Sequence, residues 1–261
     1  MLALIRLLRR HKYLLYMLSW RDITVKYKQS VMGFLWAILM PLLITSAGVL
    51  VKIALAQVTG GTVRFAAVLG VAVKSVPWAF FVSSIRSSTQ CLSNNANLVT
   101  KIAFPRAVFP LSSVISQLFD AAIASTVVIA AWILSPVAIT LQLAWVPLLI
   151  ALLVIQVSGL ALILSAANLF FRDVKYLVEV ILTFAIFFTP VFYDTSMFGK
   201  RAWILMLNPV APILEGLSNC IIQGHTPNLM WLAYSAGVSL LLGFAAPIMF
   251  QRLEPKFAES I

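Results

Sequence analysis

The sequence predicts an all-α integral membrane protein. Six transmembrane helices are expected, with an N-terminal amphipathic interfacial helix before the first and short re-entrant helices between spans five and six. Three observations carry this reading. Hydrophobic residues make up 62% of the 261 and charged residues only 10%, far from the balance of a soluble domain. The apolar residues are gathered into runs near the roughly 20 helical residues needed to cross a hydrocarbon layer about 30 Å thick. Lys and Arg are shared unequally between the segments that join those runs. The chain reads as a single transmembrane domain, 1–261, with an interfacial segment 1–30, a six-span region 31–250 and a tail 251–261.

In residues 1–30, Leu4, Ile5, Leu8, Tyr13, Tyr16, Met17 and Trp20 recur at helical spacing, with Arg6, Arg9, Arg10 and Lys12 among the other positions. That is the pattern of a helix lying in the membrane surface. Its apolar stretches are cut by charges and no small-residue cleavage site follows, so it does not read as a signal peptide. A plain anchor and a functional collar fit equally.

Span one is expected over 31–55 and span two over 65–87, interrupted by Lys74 and Pro77. Span three starts near Val108. No charge occurs between Asp120 and Arg172, and "SPVAIT" with Pro147 marks a tight turn between spans three and four. Span five covers 174–193 and ends in "FFTPVFYD"; span six covers 230–250. Between them, an apolar segment is broken by Asn208, Pro209, Pro212 and Glu215. We read it as two short helices dipping in from one side, because non-helical backbone at membrane depth is tolerated only against protein or water. A seventh full span is the alternative.

With six spans, the N-terminal segment, the loops between spans two and three and between four and five, and the tail carry fourteen Lys or Arg. The other side carries four: Lys52, Arg64, Lys200 and Arg201. Since these residues stay preferentially on the cytoplasmic side, both termini are expected in the cytoplasm. Basic residues at inner headgroups account for the net charge of +11 without a nucleic-acid partner.

The chemistry is read mostly from what is missing. Cys91 and Cys220 fall on opposite faces in this topology, as do His11 and His225, so neither a disulfide nor a metal site is expected. There is no G-x-x-x-x-G-K-[ST] phosphate loop. No extramembrane segment exceeds about forty residues, too few for a nucleotide-binding domain. No nucleophile–base group or carboxylate pair at one depth suggests catalysis. No catalytic residue and no cofactor are expected on this chain, which points to transport or scaffolding.

Two charges fall inside spans. Lys74 lies nine residues into span two from one side and Asp120 about twelve residues into span three from the other, roughly 13 Å and 18 Å deep. They are at nearly the same level and are candidates for a structural ion pair, since an isolated mid-bilayer charge costs roughly 2.5–3.5 kcal/mol. The alternative is that Lys74 faces a conduit and meets an anionic cargo. Glu179, two turns into span five, needs a partner. Arg172 and Asp173 form an elbow that is either self-paired or in contact with another element.

Five stretches taken together, "WRDITVKYKQSVMGFLWAILMPLL", "VPWAFFVSSI", "SNNANLVTKIAFPRAVFPL", "NLFFRDVKYLVEVILTFAIFFTPVFYD" and "LNPVAPILEG", resemble successive signatures of the membrane subunits of polysaccharide-exporting ABC transporters. The likeness is to the Wzm type, which handles O-antigen and related lipid-linked glycans, with teichoic-acid exporters near by. Capsule exporters usually lack the "FFRD" and "TPVFYD" combination and rank second. A secondary transporter or channel would need a chain of titratable groups or an inverted repeat, and neither is visible.

The resemblance implies a homodimer in the bacterial inner membrane, docked on two copies of a separate ATPase that binds ATP and Mg2+, with a path at the dimer seam. It implies that 94–106 is the helix that couples to the ATPase, through Asn95, Asn97, Leu98, Lys101, Pro105 and Arg106; a solvated loop is the plainer reading. Arg21, Asp22, Lys26, Tyr27 and Lys28 would form a collar at the cytoplasmic mouth. "GFLW" would open the first pore-side helix, with Gly33 allowing close helix approach. Asn208, Pro209 and Glu215 would gate the outer exit. Along the path, Trp36, Trp78, Phe80, Phe81, Phe187, Phe188, Phe192 and Tyr193 would offer flat faces to sugar rings, although aromatics in spans commonly serve as core or interfacial belt.

Overall fold

The computed structural model describes residues 11–28, 32–33, 35–59, 65–101 and 104–259. Among these the regular structure is entirely helical. Five helices are long and apolar enough to cross a membrane: α2 (Leu35–Thr59), α3 (Phe65–Asn94), α5 (Val108–Ile133), α6 (Val146–Phe170, entered through a 3-10 turn at Leu141–Trp145) and α10 (Leu229–Leu253). A further helix, α1 (Lys12–Lys28), precedes them, and a six-residue helix, α4 (Ala96–Lys101), joins α3 to α5.

The helix expected as span five is shorter than its apolar run. α7 (Val174–Ala185) has 12 residues and continues only through a 3-10 turn at Ile186–Phe188, so the helix itself rises about 18 Å. The cause is local. Thr189 is extended, with φ −118° and ψ 131°, because a following proline excludes the α conformation. The chain then passes through a 3-10 segment, Thr195–Arg201, and two short helices, α8 (Ala202–Met206) and α9 (Ala211–Ser218). Among the described residues this segment holds no helix long enough for a seventh full span. A π-turn, Asn219–Gln223, ends at Gly224 with φ 65° and leads to α10.

α3 and α6 form the centre. α3 packs on α5, α6 and α2, and α6 packs on α10. One buried cluster gathers Trp78, Phe80, Leu149, Leu153, Ile213 and Leu214. The other gathers Leu18 of α1, Leu92 of α3, Phe109 of α5, Phe250 of α10 and Phe257. The contact of α6 with α10 depends on Gly159, where an added Cβ would lie 2.8 Å from Leu242 Cβ and 3.0 Å from its carbonyl. Small residues permit this approach in membrane helices.

Two expectations about the N-terminal region change. Among the described residues a Cβ built on Gly33 meets nothing within 4 Å, and its φ of 48° turns the chain between α1 and α2, a conformation that glycine adopts freely. α1 has two apolar faces rather than one. Leu14, Leu15 and Leu18 pack inward, whereas Tyr13, Tyr16, Met17 and Trp20 are exposed, with Tyr16 stacked on Trp20. Residues 1–10 lie outside the described residues.

Candidate functional site

Lys74 is fully buried in α3. Its Nζ donates to the Tyr193 carbonyl at 3.0 Å and to Asp194 Oδ1 at 3.2 Å, and lies 3.7 Å from Glu215 Oε2. Asp194 Oδ2 accepts from Lys52 Nζ at 3.0 Å, and Thr195 Oγ1 donates to Glu215 Oε1 at 2.8 Å. Two cations and two carboxylates thus close a charge-balanced network. It ties α2 and α3 to the turn after α7 and to α9. Each member alone would be a costly buried charge, and pairing removes most of that cost.

The expected Lys74–Asp120 pair does not form. Asp120 instead accepts hydrogen bonds from Lys26 Nζ and Tyr27 Oη of α1. Counting residues puts both at one level, but counting says nothing about which side of a helix a residue occupies: Lys74 faces α9 and Asp120 faces α1. Lys26 also reaches Gln117 Oε1 at 3.3 Å. Burial, and then the Asp120 carboxylate, push the Tyr27 hydroxyl well above its ordinary pKa, so it remains a donor. The network residues missed in the sequence, Lys52 and Asp194, carried one usable signal: each sits at the end of an apolar run on the side from which Lys74 enters.

The collar residues therefore fasten α1 to the bundle. Arg21 pairs with Asp22 at 2.8 Å, and Asp22 Oδ2 accepts from Ser112 at 3.5 Å. Lys26 and Tyr27 hold α5, and Lys28 is exposed. Glu179 finds its partner across the gap between α7 and α3: Arg86 donates to it through Nε at 2.8 Å and Nη2 at 2.6 Å.

A cleft of about 500 Å³ opens between α2, α3, α5 and α7. Trp36, Met40 and Ile44, Trp78, Phe80 and Val82, and Leu182 and Ile186 make its apolar walls, and Lys26, Arg86, Gln117 and Asp120 give it a polar end. Of the expected path aromatics, Trp36, Trp78 and Phe80 line it. Phe81 stacks on Trp78 with centroids 5.5 Å apart, and Phe187 and Phe188 are exposed beyond α7. Tyr193 donates to the Phe187 carbonyl at 2.7 Å, and the Phe192 ring fills the space beside Gly48. Lys74 belongs to the charge network and not to the cleft.

In the segment expected to couple, Asn95 donates to the Cys91 carbonyl at 2.8 Å and begins α4. Asn97 is exposed and Leu98 is partly buried against the second cluster. Arg106 binds the end of α10: its backbone N–H reaches Glu254 Oε1 at 2.7 Å and its Nη1 the Glu254 carbonyl at 2.6 Å. Pro105 separates α4 from α5, and the Lys101 side chain lies outside the described residues. At the expected gate, Asn208 Nδ2 donates to Thr189 Oγ1 at 2.9 Å. The Pro209 carbonyl accepts from Ser235 at 2.6 Å. Both cysteines are free and buried.

The family model described as "ABC-2 type transporter" matches residues 13–222. The chain belongs to that family. The matched region of this ABC-2 family chain runs from α1 to the π-turn and contains the cleft and all four charges of the network. The chain is 28% identical over 264 residues to the O-antigen export system permease protein RfbA of Myxococcus xanthus, covering 100% of both. Two proteins of the same name from Klebsiella pneumoniae are also 28% identical, over 250 and 248 residues, with 94% of each chain covered. The family resemblance read from the five stretches therefore holds.

Proposed function

We propose that this chain is the transmembrane subunit of an ABC transporter that exports an O-antigen-like, lipid-linked polysaccharide across the bacterial inner membrane. Its end-to-end similarity to three O-antigen export permeases carries the reading. In it, energy comes from a separate subunit that binds ATP and Mg2+. The membrane topology has six crossings, with α7 and the turn beyond it as the short fifth, α8 and α9 re-entering from the outside, and both termini cytoplasmic.

A homodimer completes the conduit. Leu177, Val180, Ile181 and Phe184 of α7, and Leu42 and Leu43 of α2, are all about half exposed or more beside the cleft. Two copies facing each other would join their clefts into one path. The apolar, aromatic walls suit a polymer that must slide, because flat rings meet the apolar faces of sugars without fixing any one of them.

The power stroke is supported by continuity. α4, bearing Asn97 and Leu98, follows α3 after a single residue, Asn95, and α3 is a 30-residue rod about 45 Å long. A push on α4 by the ATPase is transmitted along α3 to Lys74, and from there to Glu215 of α9. Co-expression with the ATPase subunit of the same transporter tests this. The expected result is a complex that copurifies in mild detergent and places glycan outside the inner membrane. A chain that copurifies with no ATPase, or cells that export glycan normally without it, would remove the proposal.

A further inference from the structure

The elbow between α6 and α7 frames a small polar cavity that the conduit does not use. About 120 Å³ in volume, it is lined by Gln90, Ser93 and Asn94 at the end of α3, Asn168 at the end of α6, and Arg172 and Lys175 at the start of α7. Two lining residues are cationic, the other four are neutral hydrogen-bonding groups, and none is acidic. Among the described residues neither cation makes an ion pair, so the self-paired Arg172–Asp173 elbow, one of the two readings of the sequence, does not form. Lys175 Nζ only overlies the Tyr176 ring, at 4.9 Å.

The walls are preset. Asn168 is buried; its Oδ1 accepts from the Lys175 backbone N–H at 3.1 Å and its Nδ2 donates to Ser93 Oγ at 3.2 Å. Ser93 therefore keeps its own hydroxyl proton to donate. Helix ends modify the field without reversing it. The carbonyl ends of α3 and α6 each contribute about half a negative charge and the amide end of α7 about half a positive one, against two full cations.

We infer that this cavity is a binding site for a phosphoryl oxyanion. A guanidinium fork and an ammonium group, with amide and hydroxyl donors around them, match several oxygens on one small tetrahedral group. The cavity has room for a small oxyanion such as a phosphoryl group. At an elbow on the membrane surface, the same chemistry is supplied by an anionic phospholipid headgroup or by a soluble phosphate or pyrophosphate.

The test uses this chain alone, so it is independent of export and of the ATPase. Thermal unfolding is followed in nanodiscs of phosphatidylcholine, of phosphatidylcholine with phosphatidylglycerol, and of phosphatidylcholine with added inorganic pyrophosphate; a ligand that binds only the folded state raises Tm. Stabilisation by phosphatidylglycerol assigns the site to a headgroup, and stabilisation by pyrophosphate to a soluble anion. In either case R172Q/K175Q weakens the effect at least about tenfold, as expected for losing charge-assisted hydrogen bonds. The charge-matched K28Q/R252Q keeps it. If R172Q/K175Q does not fold, Q90L, which leaves both cations and fills the cavity with an apolar group, must show the same weakening. The inference is overturned if neither anion stabilises the protein, or if the elbow variants respond like the wild type.

Discussion

Lys74 of α3 stands 3.7 Å from Glu215 of α9, and this contact joins the centre of the bundle to the segment proposed as the outer gate. Asp194, on the turn after α7, holds Lys74 and Lys52 at once. Three elements that differ in length and direction are thus tied through a single buried ammonium group. Moving α9 away from α3 would part opposite charges in a low dielectric, so this arrangement is held by charge as well as by packing.

Lys74→Met leaves Asp194 with Lys52 alone and Glu215 with only the Thr195 hydroxyl. Removing one member of a buried pair costs about 3–5 kcal/mol, so lower expression and a lower Tm are expected. In Lys74→Met/Glu215→Gln part of the loss should return, with a coupling of about 0.5–3 kcal/mol in the double-mutant cycle. Strictly additive losses would mean that the network is not a unit.

Trp36 and Trp78 both line the cleft, but Trp36 is 41% exposed and Trp78 only 2%. Trp78→Ala should destabilise the bundle by about 3–5 kcal/mol, as removing a buried large aromatic does. Trp36→Ala should leave Tm nearly unchanged and reduce glycan export in cells. Normal export with Trp36→Ala would separate the cleft from the transport path.

Leu98→Asp puts a charge at a partly buried position on α4. Copurification of the ATPase and glycan export should fall together while the permease stays in the membrane. Retained export with a normal yield of the complex would remove α4 from the coupling role.

Gly159→Ala drives a Cβ into Leu242 at 2.8 Å and into backbone at 3.0 Å. Separating α6 from α10 should cost about 1–3 kcal/mol, the usual penalty of overpacking. Gly237→Ala, also within α10 but with nothing within 4 Å, should be neutral or slightly stabilising because alanine is the better helix former. Equal Tm values for the two variants would contradict the packing described.

Particular residues show how far the sequence could be read. The five long helices and their starts at Phe65 and Val108 follow from apolar run length, whereas the break before Pro190 falls inside the span expected over 174–193. The need of Glu179 for a partner also followed from its depth, whereas the identity of that partner, Arg86, did not. Three readings required the third dimension: Lys74 turning from Asp120 to Asp194 and Glu215, Gly33 turning the chain between α1 and α2, and α1 exposing the aromatic face expected to define it.

What the sequence determined by itself was the axial coordinate. Each helical residue advances the chain by a nearly constant rise, so composition and spacing place a side chain at a depth and tell which depths are costly for a charge. Tertiary structure alone decided the rotation about each axis, because that depends on which neighbouring helix lies close enough to bury a given face. Lys74 and Asp120, level by residue counting, face different neighbours, and for this reason a balanced network and a separate clasp for α1 arose where one ion pair was expected.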